Sequence, residues 1–263
     1  MRMAKKVPIT RFPDAAAVAY SRAIRKMVLE IGDETLKQFE KHIEPLLIES
    51  RQDSTKFVVD GIFDNIKRML KAIKNKAEMV FSERKTHTSA QKFVDSINRF
   101  NKHNIEKQLA VKGIDPTQRE PWLDTFLNNK IKDNVVYIKN IEDDYLSEIE
   151  NVVRNGVKEG RTAKQIREQL VERVKVTESR AQFIAVDQTG SILGQMTAER
   201  HQQIGIDKFK WLTSHDERVR DSHKALSKKV FSYDDPPTAN GRVVLPGEDY
   251  RCRCVAIPVF DDD

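Results

Sequence analysis

The sequence predicts a mainly α protein: an extended helical N-terminal region followed by a small α+β C-terminal unit. Two observations predict it. Charged residues make up 33% of the 263-residue chain against 39% hydrophobic ones, with only 10 glycines and 9 prolines. That composition favours long amphipathic helices over a compact β-fold. Apolar residues also recur at helical spacing as far as Gln203, and alternate as in strands only after Gly205.

Residues 1–13 read as an extended arm containing Pro8 and Pro13. From Asp14, the residues Ala17, Ile24, Val28 and Ile31 fall at helical spacing. Phe39, Ile43 and Leu46 continue the pattern after Gly32, and Pro45 should kink or end it. A third helix fits residues 54–81, with Val58, Ile62, Ile66, Met69, Leu70 and Ile73 as its stripe. Beside the stripe run Lys67, Lys71, Lys74 and Lys76, which suit a solvated face better than phosphate contact. Residues 82–89 lack apolar side chains and read as a loop, with helix resuming over about 90–111. Gly113 to Pro116 is a break.

Trp122, Leu123 and Phe126 start another helix. Val135, Val136, Ile138 and Ile141 lead into a further one over about 142–157, with Gly156 and Gly160 at its end. Thr162 and Gln165 have the spacing of a capping box, and Ile166, Leu170 and Val174 form the next stripe. Thr177 is expected to cap the following helix, which stops before Gly205.

Beyond Gly205, Phe209, Trp211 and Thr213 alternate with Lys210 and Leu212 as in a strand. Asp216 is placed to cap a short helix in which Val219, His223 and Leu226 share a face. Val230–Tyr233 and Val243–Leu245 are short strand candidates. Pro236-Pro237, Asn240-Gly241 and Pro246-Gly247 are turn signals, and Cys252 to Val259 reads as the last strand. Asp261–Asp263 is an acidic tail.

Net charge is +6 and the pI about 9.1, which allows nonspecific contact with nucleic acid without establishing it. The basic start Met1–Lys6 is not followed by an apolar signal segment, because Pro8, Arg11, Pro13 and Asp14 interrupt it. No apolar run reaches the ~18 residues a membrane span needs. Two cysteines at i, i+2 are no disulfide framework, so synthesis in a reducing cytoplasm is expected. No phosphate-cradling glycine loop, G-x-S-x-G or H-E-x-x-H is present. His87, His103, His201 and His215 stand isolated and read as surface histidines.

Two clusters could carry chemistry. Cys252 and Cys254 would share one face of a strand and could bind a structural zinc, with His223 as third ligand and Asp216 or His215 as fourth. The same cysteines could instead be small core residues, or reactive thiols favoured by Arg251 and Arg253. The second cluster is Asp216, Arg218, Arg220 and His223. Asp216, Arg220 and His223 could serve a metal-dependent nuclease or transferase. Without a second carboxylate in register, since Asp221 and Asp249 are unplaced, a polar scaffold is the stronger reading.

Taken in order, these pieces resemble the Mu F-like family of tailed-phage minor head proteins, also called head morphogenesis proteins. The matching residues are Gly160-Arg161-Thr162, Arg180 to Ala185, Lys210 to Thr213, Asp216 to Leu226, Pro246-Gly247 and Cys252-Arg253-Cys254. They span about residues 160–254. The chain departs from the family pattern at Val186–Thr189 and at Ser227-Lys228-Lys229. Asn104, Gln108-Leu109 and Gly113–Pro116 add a looser likeness. The resemblance implies a non-enzymatic minor capsid protein of the virion, placed inside the head near the portal vertex and assembled in the host cytoplasm. It implies a role in head morphogenesis and in DNA packaging or delivery. Its partners would be the portal protein and the major capsid or scaffolding protein, with nonspecific contact to double-stranded DNA. Residues 1–134 would be the docking region and 135–263 the Mu F-like module, with the α+β unit at about 206–260. Within that unit Trp211, Arg218, Arg220 and Leu226 would form the core of the motif, and the residues themselves leave open a structural zinc on His223, Cys252, Cys254 and Asp216 beside the plain-core reading. Some family members carry toxin or nuclease-like domains on the same module, and none is expected here after residue 260.

Overall fold

A computed structural model describes residues 7–52, 58–115 and 119–260. Met1–Lys6, Pro116 and Asp261–Asp263 lie outside the described residues, as does the Val58 side chain. The architecture is mainly helical, with a small strand-containing C-terminal unit. The helices are α1 (Asp14–His42), α2 (Glu44–Gln52), α3 (Val58–Val80), α4 (Glu83–Ala110), α5 (Leu123–Lys158), α6 (Ala163–Gln203) and α7 (Asp221–Leu226). The strands are β1 (Lys208–Leu212), β2 (Val230–Ser232), β3 (Thr238–Ala239), β4 (Arg242–Val243) and β5 (Val255–Val259). Among the described residues no helix is long and apolar enough to cross a membrane. The chain forms two compact units. One comprises residues 1–20, 90–132 and 183–263, the other residues 21–89 and 133–182. Residue 134 falls inside α5, and each unit draws on both sides of it.

The all-helical unit is built on the expected stripes. Ile24, Val28, Ile31 and Phe39 of α1, Ile66, Met69 and Ile73 of α3, and Ile138, Ile141, Tyr145, Ile149 and Val153 of α5 are all buried at helical spacing. Ile166 and Leu170 of α6 are buried with them. The Tyr145 hydroxyl lies 3.1 Å from Thr35 Oγ1, which gives its one polar atom a partner in the core. Arg167 clamps Glu40 at 2.5 Å and Glu44 at 2.6 Å. Lys67, Lys71 and Lys74 are exposed, whereas Lys76 reaches Glu30 at 2.6 Å.

Helix boundaries follow local chemistry. Thr162 and Gln165 close a reciprocal capping box at 2.8 and 3.0 Å. Helix α1 ends before Pro45, which sits in the first turn of α2. Helix α6 ends at Gly205, whose φ of +77° allows Ile206 N–H to reach the His201 carbonyl at 2.9 Å, a Schellman closure.

Three expectations are corrected. Residues 83–89 are helix, not loop. Their one fully buried polar side chain, Thr86, turns its hydroxyl back onto the Ser82 and Glu83 carbonyls. Helix α5 runs unbroken from Leu123 to Lys158, without a separate start near residue 142. Thr177 caps nothing, because α6 passes through it and its hydroxyl donates to the Arg173 carbonyl one turn back at 2.8 Å.

In the other unit β1 is the central strand of a three-stranded antiparallel sheet, ordered β2-β1-β5. Phe209 and Trp211 point inward from it and are fully buried. The β3–β4 hairpin turns through Asn240 and Gly241, both at positive φ, as a two-residue type I′ turn requires. The core gathers Phe209, Trp211, Tyr233, Val244, Cys252, Cys254 and Ala256, and Leu226 and Phe231 pack against it. A smaller cluster joins Ile105, Leu109, Ile206 and Phe260. Gln108 ties down the arm by donating to the Pro8 carbonyl at 3.1 Å and to Thr10 at 2.8 Å. Arg200, buried on α6, pairs with Glu120 at 2.5 Å and with Asn101 at 2.6 Å.

The C-terminal segment lies directly on α6. A Cβ at Gly190 would stand 2.5 Å from the carbonyl oxygens of Cys252 and Gly247, and one at Gly194 2.4 Å from that of Pro246. Only glycine permits that approach. Gly190→Ala should therefore destabilise the protein by about 1–3 kcal/mol. Gly61→Ala in α3, where nothing lies within 4 Å, should stabilise by about 0.5 kcal/mol. Urea denaturation of the two variants checks both signs.

Candidate functional site

His223 projects from α7, and Cys252 and Cys254 come from the loop that leads into β5. The cysteines precede the strand instead of lying on it, because the chain turns at Arg251 with φ of +51°. Tertiary packing brings both sulfurs to one imidazole nitrogen. His223 Nδ1 is 3.4 Å from Cys252 Sγ and 3.5 Å from Cys254 Sγ. The Cys254 backbone N–H donates to Cys252 Sγ at 3.4 Å. All three side chains are buried, and these donors lie within 4.8 Å of one another. Trp211 stands edge-on to the His223 ring, 5.5 Å between centroids.

The other imidazole nitrogen is held by a residue left unplaced above. His223 Nε2 lies 3.0 Å from Asp249 Oδ2. The same oxygen accepts from Asn240 Nδ2 at 2.6 Å and Arg220 Nη1 at 3.1 Å, and Oδ1 accepts from the Tyr250 N–H at 2.9 Å. Burial pushes the Asp249 carboxyl up, but Asn240, the Tyr250 N–H, His223 and Arg220 outweigh it and hold the group below its ordinary range. His223 is raised, first by its bond to Cys252 and then by Asp249, against burial. The Cys254 thiol brings Cys252 down to about 5 despite burial, with His223 assisting. Cys254 is pushed up by its bond to the Cys252 sulfur and by burial. The cluster thus sets two sulfurs on one imidazole nitrogen and a carboxylate on the other.

The remaining expected residues divide. Trp211 is fully buried, and Leu226 packs against the core. Arg220 bridges Asp249 and the Tyr250 carbonyl, the latter at 2.6 Å. Arg218, expected in the core, is exposed. Among the described residues its side chain bonds to its neighbour Asp216, at 3.2 Å. Asp216 does not cap α7, whose N-cap is Arg220. It accepts the Arg218 N–H at 3.0 Å and faces Arg253 at 3.6 Å. Neither Asp216 nor His215 belongs to the group of close donors. His201, read as a surface histidine, is fully buried with Nδ1 2.5 Å from the Tyr233 hydroxyl. Asp216, Arg220, His223 and both cysteines line a cavity of about 190 Å³, with Arg218, Arg251 and Arg253 around it.

Sequence reasoning left Asp249 unplaced and missed Asp187 and the pair Gly190 and Gly194. Asp187 accepts the Arg251 N–H at 3.0 Å and so fixes the turn before the cysteines. The glycines had a legible signal, small residues one helical turn apart. Asp249 had none beyond its place in a turn.

Residues 147–257 match the family model described as Phage Mu protein F like protein. This segment is Mu F-like. It contains the whole cluster and the α6 glycines. An uncharacterized protein of Haemophilus influenzae is 34% identical over 160 residues, which are 61% of this chain and 35% of that protein. A protein of Enterococcus faecalis named NAD(+)--arginine ADP-ribosyltransferase EFV is 28% identical over 130 residues, 45% of this chain and 27% of its own length. The chain therefore spans well under half of either relative. No solved structure matches it significantly.

Two predictions concern the Mu F-like core. Asp249→Ala leaves His223, Asn240 and Arg220 without their acceptor and should cost about 3 kcal/mol. Arg218→Ala should stay within about 0.5 kcal/mol. Chemical denaturation distinguishes them. Burial lowers His201 to about 3 from an ordinary 6.5. Below pH 6.5 the unfolded chain takes up a proton that the folded chain refuses, so this contribution to stability is intact above 6.5 and falls as pH drops toward 3. Tm measured across that window should decline, and His201→Gln should flatten the decline.

Proposed function

We propose that the protein is a minor head protein of a tailed phage, acting without catalysis in head morphogenesis at the portal vertex. The observation that carries this reading is the Mu F-like match over residues 147–257. The geometry of the cluster agrees with it. Both ring nitrogens of His223 are committed, Nδ1 to the sulfurs and Nε2 to Asp249. The nuclease or transferase reading needs Asp216 beside His223, and Asp216 instead faces Arg218 and Arg253. Arg220 is likewise spent on Asp249 and the Tyr250 carbonyl. The cluster fastens α7 to the C-terminal segment.

In this role the long charged helices dock on the portal protein, and on the major capsid or scaffolding protein, inside the head. The +6 charge supports nonspecific contact with packaged double-stranded DNA, which would weaken with salt. A part in DNA packaging or delivery follows from that position.

Co-expression with the portal protein of the same phage, followed by sedimentation at low and high salt, checks the proposal. Co-migration that persists at high salt is expected. Absence of co-migration at both salts would remove the portal assignment.

A further inference from the structure

We infer that His223, Cys252 and Cys254 form a three-ligand zinc site whose fourth coordination position opens onto the arginine-lined cavity and is filled by water. The inference is independent of the portal assignment.

The distances carry it. Zinc takes nitrogen at about 2.05 Å and sulfur at about 2.3 Å, so a tetrahedral site has a nitrogen–sulfur edge of about 3.5 Å. The two edges here are 3.4 and 3.5 Å. The arrangement puts one imidazole nitrogen nearly equidistant from two sulfurs. It is the geometry of two thiolates and a nitrogen sharing one ion. A soft S₂N donor set selects zinc over magnesium, calcium or manganese.

The surroundings are those of a metal centre. A metal-bound imidazole almost always passes its other N–H to a carboxylate, a backbone carbonyl or water, and His223 Nε2 meets the Asp249 carboxylate at 3.0 Å. Thiolate sulfur is stabilised by backbone N–H, and Cys254 N–H reaches Cys252 Sγ at 3.4 Å. All three donor residues are at most 4% exposed, and two buried thiols packed together with a histidine gain from sharing a cation.

The open position follows from what is not in reach. Among the described residues no fourth Cys, His, Asp or Glu joins the group. Asp216 shares the cavity but is turned to Arg218 and Arg253. The three ligand residues line the cavity themselves, so the fourth direction faces solvent.

The test uses the full chain, purified under reducing conditions. Its only cysteines are Cys252 and Cys254, so every thiol signal reports this site. Elemental analysis should find one zinc per chain, released as both thiols are modified by a mercurial. X-ray absorption should show two sulfurs, one imidazole nitrogen and one light oxygen atom. Replacement by Co(II) should give a tetrahedral thiolate spectrum that shifts on adding azide, and Asp216→Asn should keep full metal content. Absence of both zinc and Co(II) uptake by the reduced chain would overturn the site. A cobalt spectrum unmoved by azide, or metal loss in Asp216→Asn, would overturn the open fourth position. Because His223→Gln could disturb folding, the wild-type thiol and metal stoichiometries decide the matter.

Discussion

The backbone approach of the C-terminal segment to α6 is the constraint on which the rest of the Mu F-like core depends. At Gly190 and Gly194 there is no room for a methyl group between the helix and the carbonyls of Pro246, Gly247 and Cys252. That contact sets the height at which the chain leaves Pro246. Asp187, one turn earlier on α6, accepts the Arg251 N–H and sets the turn that follows. With both ends of the 246–252 loop fixed to one rigid helix, Asp249 and the two cysteines have a single place to go. The place they take is against His223.

The energetics of that meeting are those of a buried polar network. Such networks are costly when partly satisfied and rigid when complete. Here Asp249 alone takes donors from α7, from the hairpin turn at Asn240 and from its own loop. Three elements are thereby held in one arrangement. The hydrophobic contribution comes from Trp211 and Phe209 on the central strand, which form the floor beneath the cluster. Packing supplies the energy and the polar network supplies the register.

The all-helical unit works by another principle. Its residues meet through apolar stripes of period 3.6 and through long-range ion pairs such as Arg167 with Glu40 and Glu44. Close approach also occurs there, where a Cβ at Gly32 would press on Val174 at 2.7 Å. That neighbour is a side chain, whereas at Gly190 and Gly194 the neighbour is backbone.

Features governed by short-range chemistry were legible in the sequence. The stripe of α3, the capping box at Thr162 and Gln165, the helix end at Gly205 and the Asn240-Gly241 hairpin each depend on residues within one or two turns of each other. Strand type at β1, β2, β4 and β5 was legible too, but not at β3, and so was the choice of His223, Cys252 and Cys254 as the residues worth watching. The sequence misled where a local signal had two uses. Thr177 can cap a helix or bond back within one, and only continued packing of α6 selects the second. The polar run 82–89 can be loop or solvated helix for the same reason. By itself, then, the sequence determined the helical class, most element boundaries, the Mu F-like likeness and the short list of chemical residues. Tertiary structure decided which of those residues meet. It replaced Asp216 by Asp249 behind His223, buried His201 and left Arg218 in solvent, because these outcomes depend on contacts across 26 residues for His223 and Asp249 and 32 for His201 and Tyr233. No periodicity encodes a contact at that range. It is set by how closely two backbones can approach at glycine.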